Sequence, residues 1–253
     1  MLLHEMTWPA VAALDRDTPV VFPIAAVEQH GHHLPLHTDS LLLGEVIRRV
    51  QQKAVSAKVL FAPLQWFGNS HHHLDMPGTL SASPRGYLDM LRDLAECVLI
   101  HGFRRVVFVN GHGGNTVPSH QAVFELRQKY RDRHPLHLLA LTYWESTTPH
   151  ERMTNLVQNE MGHACEWETS MMLTLRPDLV VGDVTRLATV PFGRGAAPGY
   201  RGWTMPDRSE PGHIGDPAAA TREKGEGLFR EFAGGVESFL TRVVEATDAR
   251  WDL

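Results

Sequence analysis

The chain has 253 residues, 43% of them hydrophobic and 21% charged, with a net charge of −5. That length supports one large domain with a real core, and the acidic balance argues against nucleic-acid or membrane-surface binding through bulk charge. No apolar run reaches the ~18 residues of a membrane span, so no membrane partner is expected.

In chain order, Val20-Val21-Phe22-Pro23-Ile24 is a short apolar, β-branched run that predicts a buried strand. Residues 40–54 have helical periodicity and 58–62 read as a second short strand. Residues 83–101 predict a helix with the apolar stripe Tyr87, Leu88, Leu91, Leu94, Ala95 and Val98, followed by Gly102. Residues 105–110 have the character of a buried parallel strand; 116–130 predict a helix, 137–143 a fourth strand, and 163–175 a helix halted by Pro177. Asp216-Pro217 offers an N-cap and first-turn proline for a last helix over 218–245. Before it, 190–214 is a loop rich in Gly, Pro and Arg, long enough to be functional or mobile. The alternation predicts a single α/β domain over 1–253, with a mainly parallel sheet covered by helices on both faces. Met1-Leu2-Leu3-His4-Glu5 lacks the basic and apolar regions of a signal peptide, and Cys97 and Cys165 are the only cysteines. Two reduced thiols in a cytoplasmic protein are the expectation.

The sixteen histidines are the one abnormal count. Ligands of such sheets bind at the carboxyl ends of strands, and chemistry-bearing residues fall there twice. After the first strand come Glu28 and His30, then a turn through Gly31 and Pro35, then Asp39 at the start of the next helix. Oxygen and imidazole donors without cysteine suit Zn²⁺ or Mn²⁺, and Asp39 is placed to bridge two ions. A histidine-rich surface loop is the bland alternative. After the third strand, Asn110-Gly111-His112-Gly113-Gly114-Asn115 turns tightly and leaves His112 protruding; its spacing matches neither the P-loop nor the dinucleotide fingerprint. In 163–170, residues three apart share a helical face, so His163 and Glu166 would point into one site. Glu168 would lie nearly opposite, in a capping or supporting role, and Cys165 reads as a buried thiol rather than a nucleophile.

Together these residues resemble the creatininase (creatinine amidohydrolase) family. The matching pieces are Glu28-Gln29-His30-Gly31 through Leu34-Pro35 to Asp39, Pro77-Gly78-Thr79, Asn110-Gly111-His112, His163 with Glu168-Thr169-Ser170, and Glu223-Lys224-Gly225. They run in order along nearly the whole chain. The resemblance implies a creatininase-like three-layer α/β/α sandwich, a homohexamer, and two divalent metal ions per chain, zinc and/or manganese. It also implies hydrolysis of a C–N bond other than a peptide bond, in a cyclic amide or formamide of a small-molecule substrate, by a water activated between two ions.

Carried over by position, Glu28, Asp39 and His112 would hold one ion, and His30 and Asp39 the other. Creatininase itself has a ligand glutamate where this chain has Gly114 and an apolar residue where it has Glu166, which predicts that Glu166 supplies the missing carboxylate. His163 aligns with the family's catalytic histidine, a proton shuttle. Trp144 matches one of two tryptophans that gate creatininase, but the other position is Asn159, so creatinine does not follow as the substrate. His73 and Ser70 are further substrate-contact candidates, and His32, His33 and His37 shape the first loop. Other family chemistries stay open: a pyrimidine formamide deformylase, a precursor peptidase or a keto-inositol ring hydrolase, with Arg194 and Arg201 pairing with a phosphate if the substrate carries one. From another class, a non-catalytic metal-binding assembly protein would keep the ligands without needing His163.

Overall fold

Among the described residues four strands form one parallel sheet in the order β2-β1-β3-β4, with β1 at Val20–Ile24, β2 at Leu60–Phe61, β3 at Arg105–Asn110 and β4 at His137–Thr142. This computed structural model describes residues 1–193 and 195–247, so Arg194 lies outside the described residues. The helices are α1 (Trp8–Ala12), α2 (Thr38–Gln51), α3 (Pro84–Ile100), α4 (Thr116–Lys129), α5 (Pro149–Arg152), α6 (Glu166–Leu175), α7 (Met205–Arg208) and α8 (Arg222–Glu245). Side chains alternate across β1 as the pleat requires. Val21 and Ala25 pack with residues of α2, α6 and α8, whereas Val20, Phe22 and Ile24 face residues of α3 and α4. Two apolar cores on opposite faces of one sheet make the three-layer α/β/α sandwich.

Pro23 sits in an inner strand, where a missing N–H normally costs a ladder bond. Its carbonyl accepts from the Gln65 backbone, which puts its nitrogen on the β2 side, and β2 has already ended at Phe61. The bonds to β3 therefore continue from Val20 to Ile24.

Two expected helix starts are corrected. The last helix begins at Arg222 rather than 218, and its cap is Thr221, whose hydroxyl accepts from the Lys224 N–H at 3.2 Å. Asp216-Pro217 instead opens a short 3₁₀ turn over Pro217–Ala219. The helix expected over 163–175 begins at Glu166. His163 pairs its backbone with Ile214, and Ala164 takes the left-handed φ of 47°, so the helix cannot extend back past Cys165. Helices α6 and α8 cross closely at Gly225, where a Cβ would lie 2.0 Å from the Ser170 carbonyl oxygen. That crossing holds the first turn of α6 under the carboxyl edge of the sheet.

Candidate metal centre

Every cluster residue leaves an element at the carboxyl edge of the sheet. Glu28 and His30 follow β1, His112 follows β3, Asp39 lies in the first turn of α2 and Glu168 in the first turn of α6. All five are buried. Asp39 stands between two imidazoles: its Oδ1 is 3.0 Å from His30 Nε2 and its Oδ2 is 2.9 Å from His112 Nδ1. Glu28 Oε1 lies 3.4 Å from His112 Nδ1, 3.5 Å from His73 Nε2 and 3.5 Å from His163 Nδ1. Glu168 Oε1 lies 3.7 Å from His30 Nε2.

In His30, His112 and His163 the back nitrogen is spent on a main-chain carbonyl. His30 Nδ1 donates to Glu28 O at 3.1 Å, His112 Nε2 to Asn69 O at 3.0 Å, and His163 Nε2 to Gln29 O at 2.8 Å. A carbonyl can only accept, so these contacts put the proton on the back nitrogen and aim the other, as a lone pair, at the carboxylates. Metal-binding histidines are oriented in this way. Glu28 Oε2 and Asp39 Oδ2 accept no hydrogen bond from any described residue although both are buried. In a neutral His112 the lone pair of Nδ1 would confront that of Asp39 Oδ2, so a cation, a proton or a metal ion, belongs between them.

The electrostatics follow the same geometry. Burial alone would lower His112, but Glu28 and Asp39 overcome it and push it up to about 10. Burial likewise opposes the charged form of Glu28, yet His112 and His73 hold its carboxyl well below the usual range. His163 goes the other way: burial, with His30 and His73 alongside, keeps it neutral well below its ordinary value.

Three groups offer donor atoms all within 4.8 Å of one another: Glu28, His72 and His112; Glu28, His30 and His163; and His30, Asp39 and Glu168. Glu166, expected as a ligand, is in none of them. Its carboxylate accepts from the Val157 N–H at 3.0 Å, the Gln158 N–H at 2.7 Å and Lys224 Nζ at 2.6 Å. The expected shared face with His163 is absent because residues 163–165 are not helical. Glu168 takes the place beside His30 and Asp39 instead. Nor does position 114 have room for a side chain, since a Cβ there would lie 2.1 Å from Asn69 O and 2.5 Å from His112 Nε2.

Above the cluster opens a cleft of about 750 Å³. His73, expected to touch substrate, lines its floor, where the Gln29 side-chain amide donates to its Nδ1 at 2.7 Å. Trp144 lines a wall and rests edge-on against Tyr143. Ser70 does not line the cleft. It is fully buried, with its hydroxyl 3.2 Å from His112 Nε2, so it braces that ring from behind. Sequence reasoning missed His72 and the rim residues Phe192, Tyr200, Trp203 and Arg208. The aromatic content of 190–208 was the available signal.

Comparison with known proteins agrees with this geometry. Residues 4–240 match the Creatininase family, described as creatinine amidohydrolase. A mycofactocin precursor peptide peptidase of Mycolicibacterium smegmatis is 31% identical over 232 residues, covering 88% of this chain and 84% of that one. A creatinine amidohydrolase of Pseudomonas putida is 29% identical over 253 residues, covering 93% and 94%. A creatininase crystal structure superposes with a TM-score of 0.80 at 27% identity, covering 97% of this chain and 98% of that one. Other creatininase structures are described as a Zn–Zn type and as the Mn form. Relatives named as peptidases remove the ground for excluding peptide bonds. Fold, cluster and comparisons lead to one conclusion: the chain is a hydrolase-family protein and belongs to the creatininase (creatinine amidohydrolase) family.

Proposed function

We propose that this chain is a two-metal hydrolase that cleaves an amide C–N bond of a small molecule, cyclic amides, formamides and short peptides included. Glu28, Asp39 and His112 would hold one divalent ion, zinc or manganese, and His30, Asp39 and Glu168 the other. The observation that carries this reading is the orientation of His30 and His112, whose back nitrogens are bound to carbonyls while their front nitrogens flank the two oxygens of Asp39. Bound there, such ions supply a water of near-neutral pKa and polarise the amide carbonyl.

The chain's own residues do the rest. His163, neutral and with Nδ1 free toward Glu28, accepts a proton from the attacking water and returns it to the departing nitrogen. Gln29 fixes His73 through Nδ1, which leaves its Nε2–H directed at Glu28 and steadies that carboxylate. Trp144 and Trp203 wall the cleft and keep bulk water from the amide. Part of the same reading is that the whole chain, 1–253, forms one hydrolase domain that assembles as a homohexamer and works in the cytoplasm. No helix among the described residues is long and apolar enough to cross a membrane.

The test is elemental analysis of purified protein, followed by a hydrolysis screen of zinc- and manganese-loaded samples. The panel holds creatinine, cyclic imides, formamidopyrimidines, keto-inositols and short peptides. Two ions per chain and turnover abolished reversibly by chelation are expected. A metal-free protein with undiminished turnover would overturn the reading.

A further inference from the structure

We propose that the substrate carries a carboxylate and that Arg208 recognises it, an assignment that rests on the hydrolase reading above. Among the described residues lining the cleft, Arg208 is the only arginine or lysine. Its guanidinium is already oriented. Cζ lies 4.7 Å over the Trp203 ring, and one terminal nitrogen donates to the Phe192 carbonyl at 2.8 Å. Trp203 in turn meets His72 edge-on with ring centroids 4.9 Å apart, so this stack links the rim to the cluster floor.

The segment that carries Arg208 is anchored. Met205 and Ser209 are buried, and the Ser209 hydroxyl donates to His213 O. The neighbouring acid does not neutralise the arginine: Asp207 is spent on the Thr204 N–H at 2.7 Å and the Thr204 hydroxyl at 3.1 Å. Arg208 forms no ion pair with any described residue. The remaining N–H groups of the fork are thus held in place by stacking and bound by no other described residue, the arrangement that suits bidentate recognition of a planar oxyanion. Among the described residues the cleft wall carries a single guanidinium, which matches the single charge of a carboxylate better than the double charge of a phosphate. Arg208 stands between this cleft and an adjoining cavity of about 460 Å³ and lines both, whereas Arg201, the other described arginine of the loop, lines only the adjoining one.

The experiment compares binding of N-acetylphenylalanine and N-acetylphenylalaninamide to zinc-loaded protein by calorimetry, with zinc content measured first on the same samples. Wild type and Arg201→Gln should bind the acid at least about ten-fold more tightly than the amide, and Arg208→Gln should bring that ratio within about three-fold. Arg208→Lys should fall between, because it keeps the charge and loses the fork. Only variants whose zinc content matches wild type are compared, because loss of the ions would by itself erase a preference for the acid. An acid preference that persists unchanged in Arg208→Gln would assign the carboxylate to the metal ions and overturn the proposal. Equal binding of the two probes to wild type, or binding of neither, would overturn it as well. Failure of the wild type to retain zinc would instead strike the hydrolase reading, and the proposal with it.

Discussion

Glu166 and Glu168 are two residues apart, and exchanging each carboxylate for an amide should have opposite consequences. Glu166→Gln breaks a buried ion pair: its side chain is 0% exposed, and Lys224 Nζ, 9% exposed, lies 2.6 Å away. Removing one partner leaves the ammonium buried without its counter-charge, a change that costs about 3–5 kcal/mol. At roughly 2–4 °C per kcal/mol for a chain of this size, Tm should fall by about 6–20 °C. Because this carboxylate is bound to Val157, Gln158 and Lys224, metal content should stay at two ions per chain. Glu168→Gln removes an oxygen from the group formed with His30 and Asp39, so one ion should be lost or bound far more weakly. Burial raises the pKa of the Glu168 carboxyl, so replacing it with a neutral amide should cost little stability in the metal-free protein. The assay is elemental analysis after gel filtration at a temperature below both transitions, with calorimetric melting of chelated samples. A Glu166→Gln protein that loses an ion at unchanged Tm, or a Glu168→Gln protein that keeps both, would refute the reasoning.

Asp39→Ala should lose both ions, whereas His163→Ala should keep both and lose turnover by about 10²–10⁴-fold; metal loss in the second variant would make His163 a ligand rather than a shuttle. Gly114→Ala should lower Tm and metal affinity together, since its Cβ would strike Asn69 O and His112 Nε2, while Gly113→Ala, with nothing within 4 Å, should do neither. Burial, with His213 and His30 nearby, lowers His33 from 6.5 to about 4. The unfolded chain therefore holds the extra proton between those values, so stability is full above pH 6.5 and falls as pH drops toward 4, by up to roughly 3 kcal/mol from this residue. In chelated protein, melting at pH 7.5 and 4.5 should show a smaller loss for His33→Gln than for wild type; an equal loss would place the pH sensitivity elsewhere.

The bounds of β1 and β3 were legible in the sequence because a strand buried on both faces must be apolar at every position, and Val20–Ile24 and Val106–Val109 are. The Glu28-x-His30, Asp39 and His112 set was legible for a related reason. A short polar motif directly after a buried strand can only emerge at the carboxyl edge, so its residues converge whatever the rest of the chain does. The choice between Glu166 and Glu168 was not legible. Helical periodicity favours Glu166 only if the helix already includes His163, and the chain leaves the helix there because a distant segment, Ile214, takes both hydrogen bonds of the His163 backbone. For Arg208 and Trp203 the aromatic content of the loop marked the region but not the direction of its side chains, since a loop from 190 to 214 has no period from which to read it. Local pattern determined the strands and the residues at their ends. Contacts between residues some fifty positions apart, His163 with Ile214 and Glu166 with Lys224, decided which carboxylate faces the centre, because a backbone pairing and a buried counter-charge outweigh one turn of helical propensity.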